Sequence, residues 1–285
     1  MRVPAEFFSA IYRDRYDDLA GMSDVQLFEH YESYGRSEGR NASLIKDRSD
    51  FVGLAMDAKT LEIGPFFSPL VVGDNVTYSD FLSTEELVER AVSLGVGVDT
   101  IPDIKYVLSK TKLGEIPEKF DAVISSHLIE HQPDLIRHLQ DVEKIITDKG
   151  RYLVLVPDKR YCFDNPIPET NIAEVIDAWH CQRERHTLRS VIEHRALTSH
   201  NDSAQYWLGH DGGAPRVDDV YRAIEEYRKS NGGYIDVHAW QFTPENFRSI
   251  IEMLNSLSFI KLSVEELYPT RFNSNEFWAV LSLSS

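Results

Sequence analysis

Three side chains at the end of the segment FDAVISSHLIEH, His127, Glu130 and His131, stand at i, i+3 and i+4, so one helical turn brings them to one side. Imidazole and carboxylate in that arrangement can do two kinds of work. His127 can take the proton of an attacking hydroxyl, or the trio can ligate a divalent ion that polarises it. A third account needs no chemistry: Glu130 and His131 satisfy backbone groups where the chain leaves a strand. A second concentration, His180, His186, His194, His200 and His210, lies with Glu193, Arg195, Asn201 and Asp202. VIEHRALTSHND is compact enough to gather Glu193, His194, His200 and Asn201 into a polar pocket, although a hydrophilic helix face carries the same pattern. Arg160, Arg183, Arg185 and Arg189 can hold an anionic ligand or sit in solvated salt bridges. The aromatics of HAWQF, from His238 to Phe242, can stack on a ring-shaped ligand or fill a core.

A different chemistry is suggested by LEIGPFFSP, Leu61 to Pro69. Gly64 lets the backbone pass close to a ligand that a Cβ would obstruct. Asp80 ends the next strand candidate, VTYSD, where a ribose-binding carboxylate belongs in nucleotide-binding βαβ units; it can equally cap the turn that follows. Neither GxGxxG nor GxxxxGK[ST] occurs, which removes the main support for dinucleotide or nucleotide-phosphate binding.

The elements that must position these groups are readable from Lys59 onward. Short apolar strand candidates, Thr60–Ile63, Asn75–Ser79, Ile104–Leu108, Ala122–Ser125 and Tyr152–Val156, alternate with amphipathic helices and favour a parallel sheet. Ser83 and Glu86 form a capping box for a helix over Glu85–Leu94. Leu135, Leu139, Val142 and Ile146 share a face of another helix, which Gly150 is expected to close. Thr243 caps a last helix with Pro244 at its first position, buried through Phe247, Ile250, Ile251 and Leu254. Strands over about 260–266 and 276–283 follow.

Between Tyr161 and Phe242 lies a long insertion. One helix in it carries Ile172, Val175, Ile176 and Trp179 on a face, another Val217, Val220, Ile224 and Tyr227. Residues 1–48 look distinct, with two short helices and the Gly-punctuated stretch HYESYGRSEGR, His30 to Arg40. The expected organisation is a helical segment over 1–48 and one larger domain over 49–285, with residues 161–242 forming an acceptor region.

The 30 basic residues are outnumbered by 46 acidic ones. A net charge of −16 argues against nucleic-acid binding through broad phosphate neutralisation. No apolar run reaches the roughly 18–20 residues that span a bilayer, so no membrane span is expected. Cys162 and Cys181 are too few for a disulfide framework or a thiolate zinc site, which fits a reducing cytoplasm.

LEIGPFFSP, Asp80, FDAVISSHLIEH and GRYLVLVPDKRYCFD, taken in that order, resemble a class I S-adenosylmethionine-dependent methyltransferase over roughly residues 50–160 and 240–285. PDKRYCFD and the TPENF opening of the last helix are similar to bacterial methyltransferases associated with glycan assembly. The resemblance implies a Rossmann-like, seven-stranded, mostly parallel α/β sheet with an antiparallel last strand. It implies S-adenosylmethionine as cofactor and S-adenosylhomocysteine as product, with contacts at Glu62, Gly64, Pro65, Asp80, Ser125, Ser126 and His127. It departs from the family at Ser109 and Lys110, where relatives often place an acid beside the adenine. The segment after the fourth strand faces the acceptor in such enzymes. His127 is therefore a catalytic candidate, joined by His200 and His194 from the polar pocket of the insertion, and His127, Glu130 and His131 are the alternative metal set. HYESYGRSEGR resembles the HYxxxGxxEGR repeats of glycan-modifying proteins. That resemblance implies a saccharide acceptor and glycan-assembly partners for residues 1–48, a small-metabolite acceptor or a non-catalytic scaffold being the alternatives.

Overall fold

The computed structural model describes Pro4, residues 6–210 and residues 217–284; the side chain of Val217, expected on a helix face, lies outside the described residues. Strands β1 (Thr60–Ile63), β2 (Val76–Asp80), β3 (Ile104–Val107), β4 (Phe120–Ser126), β5 (Ile146–Pro157), β6 (Leu262–Tyr268) and β7 (Glu276–Leu283) form one sheet. Their order is β3-β2-β1-β4-β5-β7-β6. Pairs β1–β2, β1–β4, β2–β3 and β4–β5 are parallel, whereas β7 runs antiparallel to both β5 and β6. The order reverses between β1 and β4. Loops leaving those two strands therefore open a crevice at the carboxyl edge, where ligands of open α/β sheets sit.

The flanking helices follow from local chemistry. Helix α4 (Thr84–Leu94) begins with the Ser83–Glu86 capping box and ends at Gly95 in the left-handed region. Helix α5 (Leu135–Ile145) is capped by Asp134 and buries Leu135, Ile136, Leu139, Val142 and Ile145 against the sheet. Each such fully buried aliphatic side chain contributes roughly 1.5–3 kcal/mol. Gly150 does not close this helix: Ile146 passes straight into β5, and Gly150 lies within that strand. Helix α10 (Pro244–Ser256) is capped by Thr243 with Pro244 at its start, and Phe247, Ile250, Ile251 and Leu254 are buried as their spacing requires.

The N-terminal part contains α1 (Ser9–Arg15), α2 (Asp24–His30) and α3 (Arg48–Gly53). Phe7, Tyr12, Leu19, Leu27, Phe28, Tyr31 and Ala42 make a small core of their own. The insertion contains α6 (Ile172–His180), α7 (Leu188–Ala196), α8 (Ser203–Trp207) and α9 (Val217–Lys229). It is anchored at both ends. Asp158 pairs with Phe242 in an isolated parallel bridge, and its carboxylate accepts from Thr270 Oγ1 at 2.6 Å. No helix among the described residues is long and apolar enough to cross a membrane.

Candidate active site

Gly64 stands where β1 turns out of the sheet, with φ of +71°. The backbone conformation favours glycine, and a Cβ there would lie 2.6 Å from Leu128 Cδ1, which would have to shift. Glu62, one residue inside β1, is 2% exposed and braces the turn from beneath. Its carboxylate accepts from Leu70 N at 2.8 Å and Val71 N at 3.1 Å. Burial raises its pKa to about 7 even though those two bonds pull it down. Asp80, 7% exposed at the end of β2, accepts from Phe66 N at 3.3 Å and Leu82 N at 3.1 Å. Burial raises its pKa as well. The glycine turn and Asp80 therefore meet across the crevice, and Pro65 lies between them in the loop.

Beyond β4 the chain takes a positive φ, 48°, at His127. His127 N donates to Leu155 O at 2.9 Å, which carries the side chain over the end of β5. There Nε2 lies 2.9 Å from Glu276 Oε2. Glu276 opens β7 opposite Pro157, and its other oxygen accepts from Trp278 Nε1 at 2.8 Å and faces Arg48 Nε at 3.3 Å. Burial opposes protonation of His127, but the Glu276 bond and the charges of Glu130 and Glu276 outweigh it and raise the pKa. The result is an imidazole oriented by a carboxylate, with Nδ1 left for another partner.

A cavity of about 610 Å³ opens beside this pair. His127, Glu130, His131, Tyr161, His200, Asn201 and His238 are among the residues that line it. Glu62, Gly64 and Asp80 are not among its lining residues. Tyr161 stacks on Trp207 with centroids 3.8 Å apart and planes 3° from parallel, a rigid aromatic shelf at the cavity edge.

Several sequence-predicted residues are placed elsewhere. Ser125 Oγ is buried and bonded to Tyr152 OH at 2.8 Å, which also meets His138 Nε2, so its hydroxyl faces away from the crevice. Ser126 Oγ accepts from Arg48 at 2.8 Å. His127, Glu130 and His131 do not converge, because His127 is turned to Glu276. Glu193, His194, His200 and Asn201 form no single pocket. Glu193 pairs with Arg189, and His194 Nδ1 accepts from His238 N at 3.1 Å. Burial lowers the His194 pKa to about 3. Arg160, Arg183 and Arg189 are paired with acidic neighbours, and Arg185 binds Gly232 O, which leaves none of the four aimed at an anionic ligand. Trp240 and Phe242 pack in the main core.

Sequence reasoning missed Glu276, Asp164 and His238. His238 Nδ1 lies 2.6 Å from Asp164 Oδ2, and its Nε2 lies 3.9 Å from Glu130 Oε1. The register of β7 against β5 was the available signal for Glu276. No periodic pattern pointed to the other two.

The model of a methyltransferase domain family matches residues 21–207. The chain belongs to that methyltransferase family. No curated protein matches the chain. Among solved structures, a S-adenosylmethionine-dependent methyltransferase from Clostridium acetobutylicum ATCC 824 is similar at 11% identity and a TM-score of 0.42, covering 92% of this chain and 100% of that one. A putative Zn-dependent alcohol dehydrogenase from Rhodobacter sphaeroides is similar at 16% identity and a TM-score of 0.47, covering 90% and 97%. The DhpI–SAH complex is similar at 14% identity and a TM-score of 0.37, covering 97% and 95%. Likenesses at this level say nothing about activity. The crevice residues fit an adenosyl donor. A left-handed glycine turns the chain sharply out of β1 at the carboxyl edge, and the buried Asp80 carboxylate holds Phe66 N by a long 3.3 Å bond that a ribose hydroxyl can replace.

Proposed function

We propose that the protein methylates a hydroxyl of a saccharide or glycan precursor, with His127 as general base. The observation that carries this reading is the His127–Glu276 pair at the wall of a polar cavity on the carboxyl edge of the sheet. S-Adenosylmethionine supplies a methyl group on a sulfonium; the acceptor oxygen takes that methyl as the carbon–sulfur bond breaks, leaving S-adenosylhomocysteine and a methyl ether. The chain has three tasks. It holds the donor at Gly64, Pro65 and Asp80, with Glu62 bracing the loop. It aligns the acceptor in a site that excludes bulk water. It takes the hydroxyl proton at His127 Nδ1, while Glu276 at Nε2 fixes the tautomer and stabilises the imidazolium that forms.

His200 and Asn201 supply hydrogen bonds to acceptor hydroxyls from the far wall of the cavity, and His194, neutral because buried, positions His238. The stacked Tyr161–Trp207 pair offers an aromatic face suited to a sugar ring. The segment HYESYGRSEGR supports the same acceptor class by its likeness to repeats in glycan-modifying proteins, and residues 1–48 are the surface for a glycan-assembly partner.

Calorimetry with S-adenosylhomocysteine tests the donor site. Wild type binds, and Gly64→Arg, which forces a side chain into Leu128, loses at least about 100-fold in affinity; absence of wild-type binding would reject the reading. Transfer of labelled methyl to cell-extract fractions tests the acceptor. Label in water-soluble glycan or nucleotide-sugar fractions is expected, and label confined to small lipophilic products would replace the saccharide with a small-metabolite acceptor.

A further inference from the structure

Glu130 has 0% exposure, and neither of its carboxylate oxygens has a hydrogen-bond partner. A buried carboxylate left so is costly, by about 1–3 kcal/mol or more, unless something outside the chain completes it. Two imidazole nitrogens point at it: His131 Nε2 lies 3.8 Å and His238 Nε2 3.9 Å from Glu130 Oε1. Both separations are too long for hydrogen bonds.

Each ring is set by a carboxylate on its other nitrogen. Asp164 Oδ2 lies 2.6 Å from His238 Nδ1. Asp236 Oδ1 lies 2.9 Å from His131 Nδ1, in ion-pair range though off the angle of a well-formed hydrogen bond. A carboxylate at Nδ1 keeps the ring proton there and leaves a lone pair on Nε2. One ring nitrogen of each histidine and a carboxylate oxygen of Glu130 thus lie within 4.8 Å of one another. A cation answers that arrangement.

We infer that Glu130, His131 and His238 bind a divalent first-row transition ion, of which zinc and manganese are the probes to use. Two imidazoles and one carboxylate suit such ions better than magnesium or calcium, which favour oxygen-only sets. An ion about 2.0–2.2 Å from each donor holds its ligands roughly 3.3 Å apart, so small ring rotations close the set. The three atoms come from two places: the turn after β4 supplies Glu130 and His131, and the segment before α10 supplies His238. The backbone holds these together, since Ala239 N donates to Glu130 O at 2.7 Å. His127 is not a ligand, because its Nε2 belongs to Glu276.

All three ligands border the 610 Å³ cavity, which leaves the remaining coordination positions facing the acceptor. Resting on the proposed methyl transfer, the role of the ion is to bind an acceptor hydroxyl and lower its pKa, with His127 at hand for the proton.

The test uses the full chain, stripped with a chelator and titrated by calorimetry with zinc chloride and, separately, manganese chloride. One ion per chain is expected for at least one of the two metals. Glu130→Gln and His238→Gln should weaken it by at least about 100-fold, while His127→Gln should leave affinity within about threefold. Asp164→Asn keeps the packing and should weaken binding about tenfold through His238; it decides the matter if a ligand variant fails to fold. The site is disproved if wild type binds neither ion, if the Gln variants or, where those fail to fold, Asp164→Asn bind as wild type does, or if His127→Gln loses as much as they do. S-Adenosylhomocysteine binding is measured on every sample. Its loss in wild type with ion binding intact would remove the methyl-transfer reading and leave the ion site standing, and the reverse result would remove the ion site alone.

Discussion

Glu62 near the end of β1 and Glu130 in the turn just beyond β4 are both buried acids at the same edge of the sheet, and the chain treats them in opposite ways. Glu62 has its oxygens satisfied by the amides of Leu70 and Val71. Glu130 has none satisfied, although its backbone oxygen is held by Ala239 N. The first acid completes an internal structure, the loop that carries Gly64. The second is complete only with something the chain does not contain. Glu130 is thus marked out by having neither carboxylate oxygen satisfied, where the helix cap Asp134 lacks a partner for one oxygen alone.

The largest expected effect separates the two regions by function. His127→Ala lowers turnover by about 10²–10⁴-fold, because the proton of the acceptor loses its base. S-Adenosylhomocysteine affinity should stay within about threefold of wild type, since the Gly64 loop is untouched. A turnover assay beside calorimetry reads both. Unchanged turnover would take His127 out of the reaction, and equal loss of donor affinity would make it part of the donor site instead.

A smaller effect compares the two acids directly. Glu62→Ala strands the buried amide of Val71 and the half-buried amide of Leu70 and should cost about 1–3 kcal/mol. Glu130→Gln in chelator-treated protein should not destabilise the fold, because no hydrogen bond is lost and an unpartnered buried charge is removed. Denaturant titration of both variants measures the contrast; similar costs would mean that Glu130 is as structural as Glu62.

Much of the sheet was legible because its signals are local. The final helix has its cap, its proline and its apolar face within thirteen residues of one another, and the structure places it at Pro244–Ser256. Glycine at 150 misled, since a glycine after a helical run usually marks a cap. In fact a Cβ there would lie 2.9 Å from Phe120 O, so its absence permits close passage of β5 against β4. The candidate site was legible only where β1, β2 and β4 end. Glu130 and His238 are 108 residues apart, and His238 read as the start of an aromatic core segment. Asp164 reaches His238 across 74 residues. No spacing rule encodes a contact made by the folding back of an insertion.

The smallest effect is a slope against pH, and it tests whether Glu62 is as internal as its bonds indicate. Burial raises its pKa from 4.5 to about 7 in the folded chain. Between those values the folded protein keeps a proton that the unfolded chain has released, so this group's contribution is full below about pH 4.5 and is lost as pH rises towards about 7. Glu62→Gln removes the titration while leaving an oxygen for one amide. The difference in unfolding free energy, wild type minus Glu62→Gln, should therefore fall by at most about 1.4 kcal/mol per pH unit across that window and level off above it. Thermal unfolding of both proteins by calorimetry at half-unit steps reads the difference free of every other titrating group. A flat difference would mean that Glu62 is ionised in the folded chain throughout. The two backbone bonds would then outweigh burial, and the contrast with Glu130 would rest on hydrogen bonds alone.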